Sequence, residues 1–450
     1  MTWLRRLWQT YDKLVLNTND GEDKPLPIAH VSQWSHINII IDSEGNFKRA
    51  AVDKRRIILP ATEASSNRTG GVAPHVLADQ LQYVAKDYPV YVSTSKKVRL
   101  GFDDYQKQLK DWCDSAFCHP KAVAVYKYVS KGQVVADLIA NSVLFIDTNN
   151  KYIEKWEDKD NVPPIYSVLT KKAGEVDIRT ALVAWTVESP NEIITNTWED
   201  PSLITSWTNY VLSQSGQQSL CLVSGKYCDI ALMHPKNIRF PGDGAKLISS
   251  NDTSGYTFRG MFTNAEQAAT IGAEITQKAH NALSWLIANR GVRNEDQFTV
   301  VWALSGKEVI NPFAEIDFEA DIKDIGIDHG QDFGQSAFLQ IKHLLLGYKA
   351  SLSDTDQLSL MCVDAATPGR AAMTYYKEFS PDDYFNKLLA WQEDLVWVQR
   401  CVIKEKNAKG KEVNKTVYKL MAPSIYHIAQ AVYGSFLSTS LKKNIYARLL

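Results

Sequence analysis

The hydrophobic pattern of the chain predicts helices and strands side by side in its first part. Apolar residues recur at helical spacing from Trp3 to Val15, which predicts an amphipathic helix facing either a core or a neighbouring protein. The run "HINIIIDSEGNFKRAAV" has β-branched residues on one side of a Ser-Glu-Gly-Asn turn, the pattern of a hairpin. A short strand is predicted to end at Pro60, and a helix carrying Val76, Leu77, Leu81 and Val84 is predicted to begin near Pro74.

Further along, helical patterns alternate with strands. Helices are predicted over 102–117, 120–131 and 264–290, a hairpin over 140–153, and a strand over 297–304. An acidic, weakly periodic segment over 311–334 predicts a boundary, and beyond it the pattern is mainly helical, interrupted by strand and turn at 358–376. The sequence therefore predicts an α+β protein. Its N-terminal domain, 1–334, is a mixed half with antiparallel sheet and helices, and its C-terminal region, 335–450, is mostly helical.

Composition places the chain among soluble globular proteins. Its 450 residues are 45% apolar and 22% charged, with a formal net charge of -1, which suggests about two or three domains. We expect no membrane span and no signal peptide, because no apolar run approaches the length that a bilayer requires. Six irregularly spaced cysteines favour reduced thiols and a cytoplasmic location.

Positive charge is concentrated in the first quarter, where basic residues outnumber acidic ones between Gly45 and Lys110. Such a local excess favours contact with a polyanion even when the net charge is close to zero. The candidate phosphate contacts are Lys54, Arg55, Arg56, Lys96, Lys97 and Arg99.

Two polar loops that contain glycine are candidate contacts with a nucleic acid. The first joins the strand ending at Pro60 to the predicted helix, and it consists of Ser65, Ser66, Asn67, Arg68, Thr69, Gly70 and Gly71. It carries hydrogen-bond donors and no acidic residue, and its glycines would let a backbone approach closely. The second loop contributes Lys236, Asn237, Arg239 and Lys246.

Two groups of residues support a competing class, a metal-dependent nuclease or hydrolase. The first comprises Cys113, Cys118, His119, Cys221 and Cys228, which could supply a zinc site, although their spacing is not that of a zinc knuckle. The second is the acidic segment 315–332, whose carboxylates could bind hard cations and which also suits a solvated linker. We expect neither group to be catalytic, with no metal and no cofactor.

Several segments, in their order along the chain, resemble the large subunit of the type I-C CRISPR Cascade complex. They are "SSNRTGGVAPHVLADQLQYV", "CLVSGKYCDIALMHPKNI" with "GAKLISSN", "HNALSWLIANRGVRNEDQFTVVWA", "DAATPGRAAMTYY" with "LAWQEDLVWVQR", and "MAPSIYHIAQAVYG". The resemblance extends from about Trp3 to Leu450. Chains of this family usually continue into a terminal helical bundle, which the resemblance implies is absent here.

The resemblance implies a DNA-binding protein that is not an enzyme. It would recognise the protospacer-adjacent motif in double-stranded DNA, help to open the duplex, stabilise the R-loop and support recruitment of a helicase-nuclease. Its partners would be the guide RNA ribonucleoprotein and the backbone, crRNA-end-binding and small subunits of Cascade. On this interpretation residues 65–71 read the motif, the basic residues 54–56, 96–97 and 99 hold phosphates, and the loop at 236–246 follows the non-target strand. A purely architectural subunit is a third possibility.

Overall fold

The computed structural model describes residues 2–18, 24–68, 71–92, 101–190, 192–214, 216–249, 269–313, 333–353, 355–367, 369–395, 397–406, 412–438, 441 and 445. The chain divides into two compact units that are interleaved along the sequence. One, here called the central unit, comprises Leu26–Pro235 and Ser249–Gln277. The other, the composite unit, comprises Met1–Pro25, Lys236–Ile248 and Lys278–Leu450.

The central unit contains short strands and short helices. Its strands are β1 (His30–Trp34), β2 (Ile37–Asp42), β3 (Phe47–Val52), β4 (Arg56–Pro60), β5 (Lys171–Lys172), β6 (Glu175–Val176), β7 (Val183–Glu188), β8 (Gln218–Leu220) and β9 (Tyr227–Asp229). Its helices are α2 (Glu63–Ser66), α3 (Leu81–Val84), α4 (Phe102–Cys113), α5 (Pro120–Ser130), α6 (Val134–Ala140), α7 (Pro164–Val168) and α8 (Pro201–Ser213), with 3₁₀ turns at Tyr88–Tyr91 and Ile178–Thr180.

Two small sheets organise the first part of the central unit. Strand β2 pairs antiparallel with β3 and parallel with β7, giving the order β3-β2-β7. The hairpin turn requires Gly45, because its φ is +80° and an added Cβ would lie 2.7 Å from the carbonyl oxygen of Ala124. Strands β1 and β4 form a separate antiparallel pair in which Trp34 lies opposite Arg56 and His30 lies opposite Pro60. The hairpin predicted in "HINIIIDSEGNFKRAAV" and the strand predicted to end at Pro60 are therefore confirmed.

The helix predicted to begin near Pro74 is wrong, since only α3, Leu81–Val84, is helical there. The carbonyl of Leu77 accepts hydrogen bonds from the Tyr105 hydroxyl at 2.7 Å and the Trp185 indole at 2.8 Å. The Asp79 carbonyl likewise accepts from the N–H of Val183. The segment is apolar and buried as predicted, but tertiary partners take the backbone groups that a helix would have paired internally.

The composite unit combines the N-terminal helix with the C-terminal half of the chain. Its strands are β10 (Val292–Asn294), β11 (Gln297–Ala303), β12 (Leu358–Thr367), β13 (Arg370–Phe379), β14 (Trp397–Lys406) and β15 (Glu412–Met421). Its helices are α1 (Thr2–Asn17), α10 (Phe333–Ser351), α11 (Pro381–Leu395) and α12 (Ile425–Tyr433), with a 3₁₀ turn at Gly434–Phe436. Helix α9 (Ala273–Arg290) begins in the central unit and ends in the composite unit.

An antiparallel sheet of order β10-β11-β12-β13 forms the centre of the composite unit. Apolar residues of β11 and β12 pack against α10 and α11 around the buried ring of Phe385. Helix α1 buries Leu4, Leu7, Tyr11 and Leu14 on one face. The amphipathic N-terminal helix therefore contributes to a core.

The α+β class is confirmed, whereas the region from residue 335 onwards is less helical than the sequence predicted. Beside its helices it holds β12, β13 and the β14–β15 hairpin, each a strand of 10 residues. The sequence predicted the first two of these strands and missed the second hairpin. The boundary predicted between 334 and 335 stays a prediction, because much of the acidic segment that suggested it, 314–332, lies outside the described residues.

Candidate nucleic-acid interface

The predicted motif loop begins with the short helix α2, which follows β4 after two residues. The Thr62 hydroxyl accepts a hydrogen bond from the Ser65 N–H at 3.1 Å, and Ser65 Oγ accepts one from the Thr62 N–H at 2.9 Å. This reciprocal capping satisfies two backbone donors at the start of the helix. Ser65 is buried, and its hydroxyl is used within the fold. Thr69 and Gly70 lie outside the described residues.

Arg68 forms an internal ion pair with Asp79, here called the Arg68–Asp79 lock. Its Nη1 lies 2.7 Å from Asp79 Oδ2 and its Nη2 lies 2.9 Å from Oδ1, a bidentate arrangement. Nη1 also donates to the Ala73 carbonyl, and the guanidinium carbon lies 4.5 Å from the centroid of the Tyr83 ring. The Arg68 side chain is 14% exposed and that of Asp79 is fully buried. Burial lowers the pKa of Arg68, but the hydrogen bonds and charge of Asp79 outweigh this and raise it overall.

The Asp79 carboxylate also fixes the backbone around it. It accepts hydrogen bonds from the N–H groups of His75 and Gln80, each at 2.7 Å. The buried His75 ring lies 2.8 Å from Ser65 Oγ through Nδ1 and 3.1 Å from the Gln33 amide nitrogen through Nε2. Since an amide nitrogen only donates, Nε2 accepts and Nδ1 carries the proton. These bonds connect the motif loop to β1.

The lock changes the part that Arg68 plays in the candidate site. From the sequence we expect its guanidinium at a base edge, whereas the structure pairs it with a buried carboxylate. The reason is that the segment before α3 is not helical, so Asp79, 11 residues after Arg68, returns to the loop. Arg68 therefore holds the loop in place and, in this conformation, does not present its guanidinium to a ligand.

The other described members of the loop differ in what they offer. Ser66 Oγ donates to the Thr62 carbonyl, and the Asn67 amide nitrogen donates to the Glu63 carbonyl at 3.0 Å. Gly71 is exposed, its φ is not left-handed, and an added Cβ would meet no atom of the described part of the chain within 4 Å. The fold itself therefore does not require glycine at this position.

The basic run before β4 lies on the surface at the opposite end of the β1–β4 pair. Lys54, Arg55 and Arg56 are all exposed. Arg55 forms an ion pair with Asp53 at 2.6 Å, and the Arg56 Nε donates to Ser32 Oγ at 2.8 Å. The three cations predicted to contact phosphates are therefore accessible on the surface. Lys96, Lys97 and Arg99 lie outside the described residues.

The second predicted loop, in the composite unit, also uses its arginine internally. Arg239 forms a bidentate pair with Asp243 at 2.9 and 3.0 Å and donates to the Asp296 carbonyl. Asn237 has a φ of +61°, and its side-chain oxygen accepts from the Gly242 N–H. Lys246 exchanges backbone hydrogen bonds with the β12–β13 turn. Lys236 is half-buried. Like Arg68, Arg239 is paired with a carboxylate within the fold, so in this conformation its guanidinium is not presented to the non-target DNA strand.

The metal-dependent alternative receives no geometric support from the described part of the chain. Among those residues, no group of three or more His, Cys, Asp or Glu side chains is placed to hold a metal ion. Burial and the neighbouring Cys118 raise the pKa of the Cys113 thiol to about 12. Burial raises the pKa of the Cys221 thiol, but hydrogen bonds led by the Ser224 N–H lower it overall. The acidic segment 315–332 lies outside the described residues.

One constellation that the sequence analysis did not find is a serine, a histidine and an aspartate in mutual contact. His119 Nε2 lies 3.0 Å from Ser202 Oγ, and Ser202 Oγ lies 2.5 Å from Asp200. His119 Nδ1 accepts from the Lys121 N–H, so the ring proton is on Nε2 and that nitrogen is not a base toward the serine. His119 and Asp200 are the N-caps of α5 and α8, which accounts for their positions.

Comparison with known proteins identifies the family. Residues 7–450 match the family model described as CRISPR-associated protein (Cas_Csd1). No curated protein matches the chain. In the part that the structure describes, no helix has the length and apolar character needed to cross a membrane. Since the family match covers nearly the whole chain, the resemblance found in the sequence is confirmed, and the chain belongs to the Cas_Csd1 family of CRISPR-associated proteins, that of the type I-C large subunit.

Proposed function

We propose that this chain is the large subunit of a type I-C Cascade effector and reads the short DNA motif beside the guide-matched target. In guided complexes of this kind base pairing reads the target, while protein groups read the flanking motif and promote opening of the duplex. The chain would then help to open the duplex, stabilise the R-loop and support recruitment of the helicase-nuclease. Its role would be binding and not catalysis.

The observation that carries this proposal is the exposed cationic run Lys54–Arg56, at the start of strand β4, which leads into the motif loop. Phosphate contacts position a protein on DNA, whereas contacts with base edges specify the sequence. The exposed cations at the start of β4 can supply the phosphate contacts. The loop can supply the contacts with base edges, because the Arg68–Asp79 lock and the His75 hydrogen bonds hold it relative to β1.

Gly71 provides a further argument for a close approach at the loop. An added methyl group would meet no atom of the residues that the structure describes, so a ligand that comes close to the backbone is one reason for glycine there. Asn67 is next to Arg68 and partly exposed, but its amide nitrogen donates to the Glu63 carbonyl and its Oδ1 is buried, so in this conformation the amide is not presented to a base edge.

The test is binding of DNA by the reconstituted guide-loaded complex, with and without this subunit. Targets differ only in the few base pairs that flank the guide-matched stretch, at fixed salt. We expect the subunit to confer a flank preference of at least tenfold and Gly71→Ala to weaken binding to the preferred flank. Gly347→Ala, at an exposed helical glycine with nothing within 4 Å, is the matched control and should leave binding unchanged. Affinity that is independent of the flank would reduce the subunit to an architectural role.

A further inference from the structure

An exposed tryptophan adjoins the cationic strand end and has no part in the motif loop. Trp34 is the last residue of β1, and it is 50% exposed. Single exposed apolar residues are ordinary on protein surfaces. Trp34 differs in its neighbours, because Lys54 Nζ and Arg56 Cζ each lie 6.0 Å from its ring centroid.

The backbone that carries the ring is held on both sides. Trp34 lies opposite Arg56 in the β1–β4 register, and the next residue, Ser35, donates its N–H to the Arg55 carbonyl at 2.9 Å. The Ser35 hydroxyl lies 3.2 Å from the carbonyls of Asp53 and Arg55. Arg56 is fixed in turn by its bond to Ser32. The aromatic ring and the two cations therefore occupy a rigid strand end, so little conformational entropy is lost when a ligand binds.

The charges beside the ring are available to an anion. Within the described residues, neither Lys54 nor Arg56 forms an ion pair with a carboxylate, in contrast to Arg55 with Asp53. An aromatic face with adjacent uncompensated cations is the arrangement that binds an unpaired nucleotide, because the base stacks on the ring and the phosphates meet the cations. A duplex offers its phosphates to such a surface but keeps its base faces stacked.

We infer that Trp34, Lys54 and Arg56 form a stacking platform for one unpaired nucleotide of single-stranded DNA. The inference rests on the proposed function, which supplies such a strand when the duplex opens. The platform would hold a base that has left the helix, and Arg56 and Lys54 would hold its flanking phosphates. It adds to motif reading a separate step, capture of the opened strand.

The first experiment uses the full chain and a fluorescein-labelled 20-nucleotide oligo(dT), followed by anisotropy across a salt series. Loss of one base stack is expected to weaken binding by about 5- to 150-fold in Trp34→Ala, and Trp34→Phe should restore most of it. Tyr227→Ala is the matched control, because this ring is also exposed in the central unit. Binding of an unopened duplex should be the same in Trp34→Ala as in wild type.

A second readout locates the base directly. Oligo(dT) with 5-iodouracil crosslinks to an aromatic ring on which the base stacks, and we expect the crosslinked peptide to contain Trp34. Equal affinity of Trp34→Ala and wild type for oligo(dT), or crosslinks only to other peptides, would overturn the inference. Tighter binding of oligo(U) RNA than of oligo(dT), with the same dependence on Trp34, would overturn the assignment to DNA.

The guide-loaded complex separates failure of this inference from failure of the proposed function. If the platform captures the opened strand, Trp34→Ala should keep the flank preference of initial binding and reduce duplex opening, measured by permanganate reactivity of thymines in the displaced strand. Unchanged duplex opening would overturn the inference of a stacking platform and would leave the proposal of motif reading unaffected. A wild-type complex without flank preference would remove the proposed function, whatever the result with Trp34→Ala.

Discussion

Two arginines near opposite ends of the β1–β4 pair have opposite environments. Arg56, at one end, is exposed and lies beside a half-exposed tryptophan. Arg68, beyond the other end, has its guanidinium paired with a fully buried carboxylate and covered by the Tyr83 ring. Both belong to the locally basic stretch that suggested a nucleic-acid interface. One cluster of basic residues in the sequence therefore contains both surface charges and charges that are paired inside the fold and stabilise the loop.

The largest expected effect is on the stability of the locked end. Arg68→Ala should lower the free energy of unfolding by about 3–5 kcal/mol, because it leaves the buried Asp79 carboxylate without its cation. Arg68→Lys keeps a charge but loses the bidentate geometry, so it should fall between Arg68→Ala and wild type. Urea denaturation followed by tryptophan fluorescence measures the shift of the midpoint.

The matched control is Arg56→Ala, which removes the same side chain from the exposed end. A midpoint for Arg68→Ala equal to that of Arg56→Ala would mean that the lock contributes nothing, and Arg68 would again be a candidate contact with DNA. If the lock does stabilise the loop, loss of DNA binding by Arg68→Ala would report a displaced loop and not a lost base contact.

A smaller effect on stability is expected from His30, the first residue of β1, which lies opposite Pro60 at the end of β4. Its ring is buried, Nδ1 lies 2.8 Å from the Ile28 carbonyl, and burial lowers its pKa to about 4. Because the unfolded chain binds this proton below about pH 6.5, stability should be lost as pH falls from about 6.5 to 4, by about 3 kcal/mol. His30→Gln should flatten that part of the stability–pH curve. A curve of unchanged slope in the variant would show that the pKa of His30 is not lowered in the folded state.

The smallest expected effect on stability is at the exposed end itself. Arg56→Ala should change the free energy of unfolding by no more than about 0.5 kcal/mol, since its side chain lies on the surface. Its effect should appear in DNA affinity, with the slope of log affinity against log salt reduced by about one unit. Equal salt slopes for Arg56→Ala and wild type would show that this cation contacts no phosphate.

The sequence predicted those elements whose pattern is local. The β2–β3 hairpin, helices α4 and α5, and the end of α9 before Gly291 all follow from turn residues and periodicity within one segment. The segment from Pro74 to Gln80 has the apolar residues of a helix, but its backbone bonds go to Tyr105, Trp185 and Val183. Those partners are distant in sequence, so no local pattern could have revealed them.

The candidate site shows the same division. The sequence predicted the accessible cations at Lys54–Arg56 from the local excess of basic residues around them, and all three are exposed. It did not predict the Arg68–Asp79 or Arg239–Asp243 pairs. In the second, the aspartate lies four residues after the arginine, in the same loop, and this spacing is a local signal for an internal ion pair. Trp34 was also missed, since its cations come from a neighbouring strand.

The position of α1 has a consequence for synthesis of the chain. Arg6 of α1 forms an ion pair with Glu378, which lies 372 residues later, and Asn17 donates to the carbonyl of Ser305. At translation rates of about 5–20 residues per second, Arg6 is added to the chain roughly 20–75 s before Glu378. The contacts of Tyr11 with Lys278 and of Asn17 with Ser305 can form somewhat earlier, once residues 278 and 305 have been made. The contact of α1 with Glu378 therefore forms late in synthesis, and the composite unit cannot complete its fold until Glu378 has been made.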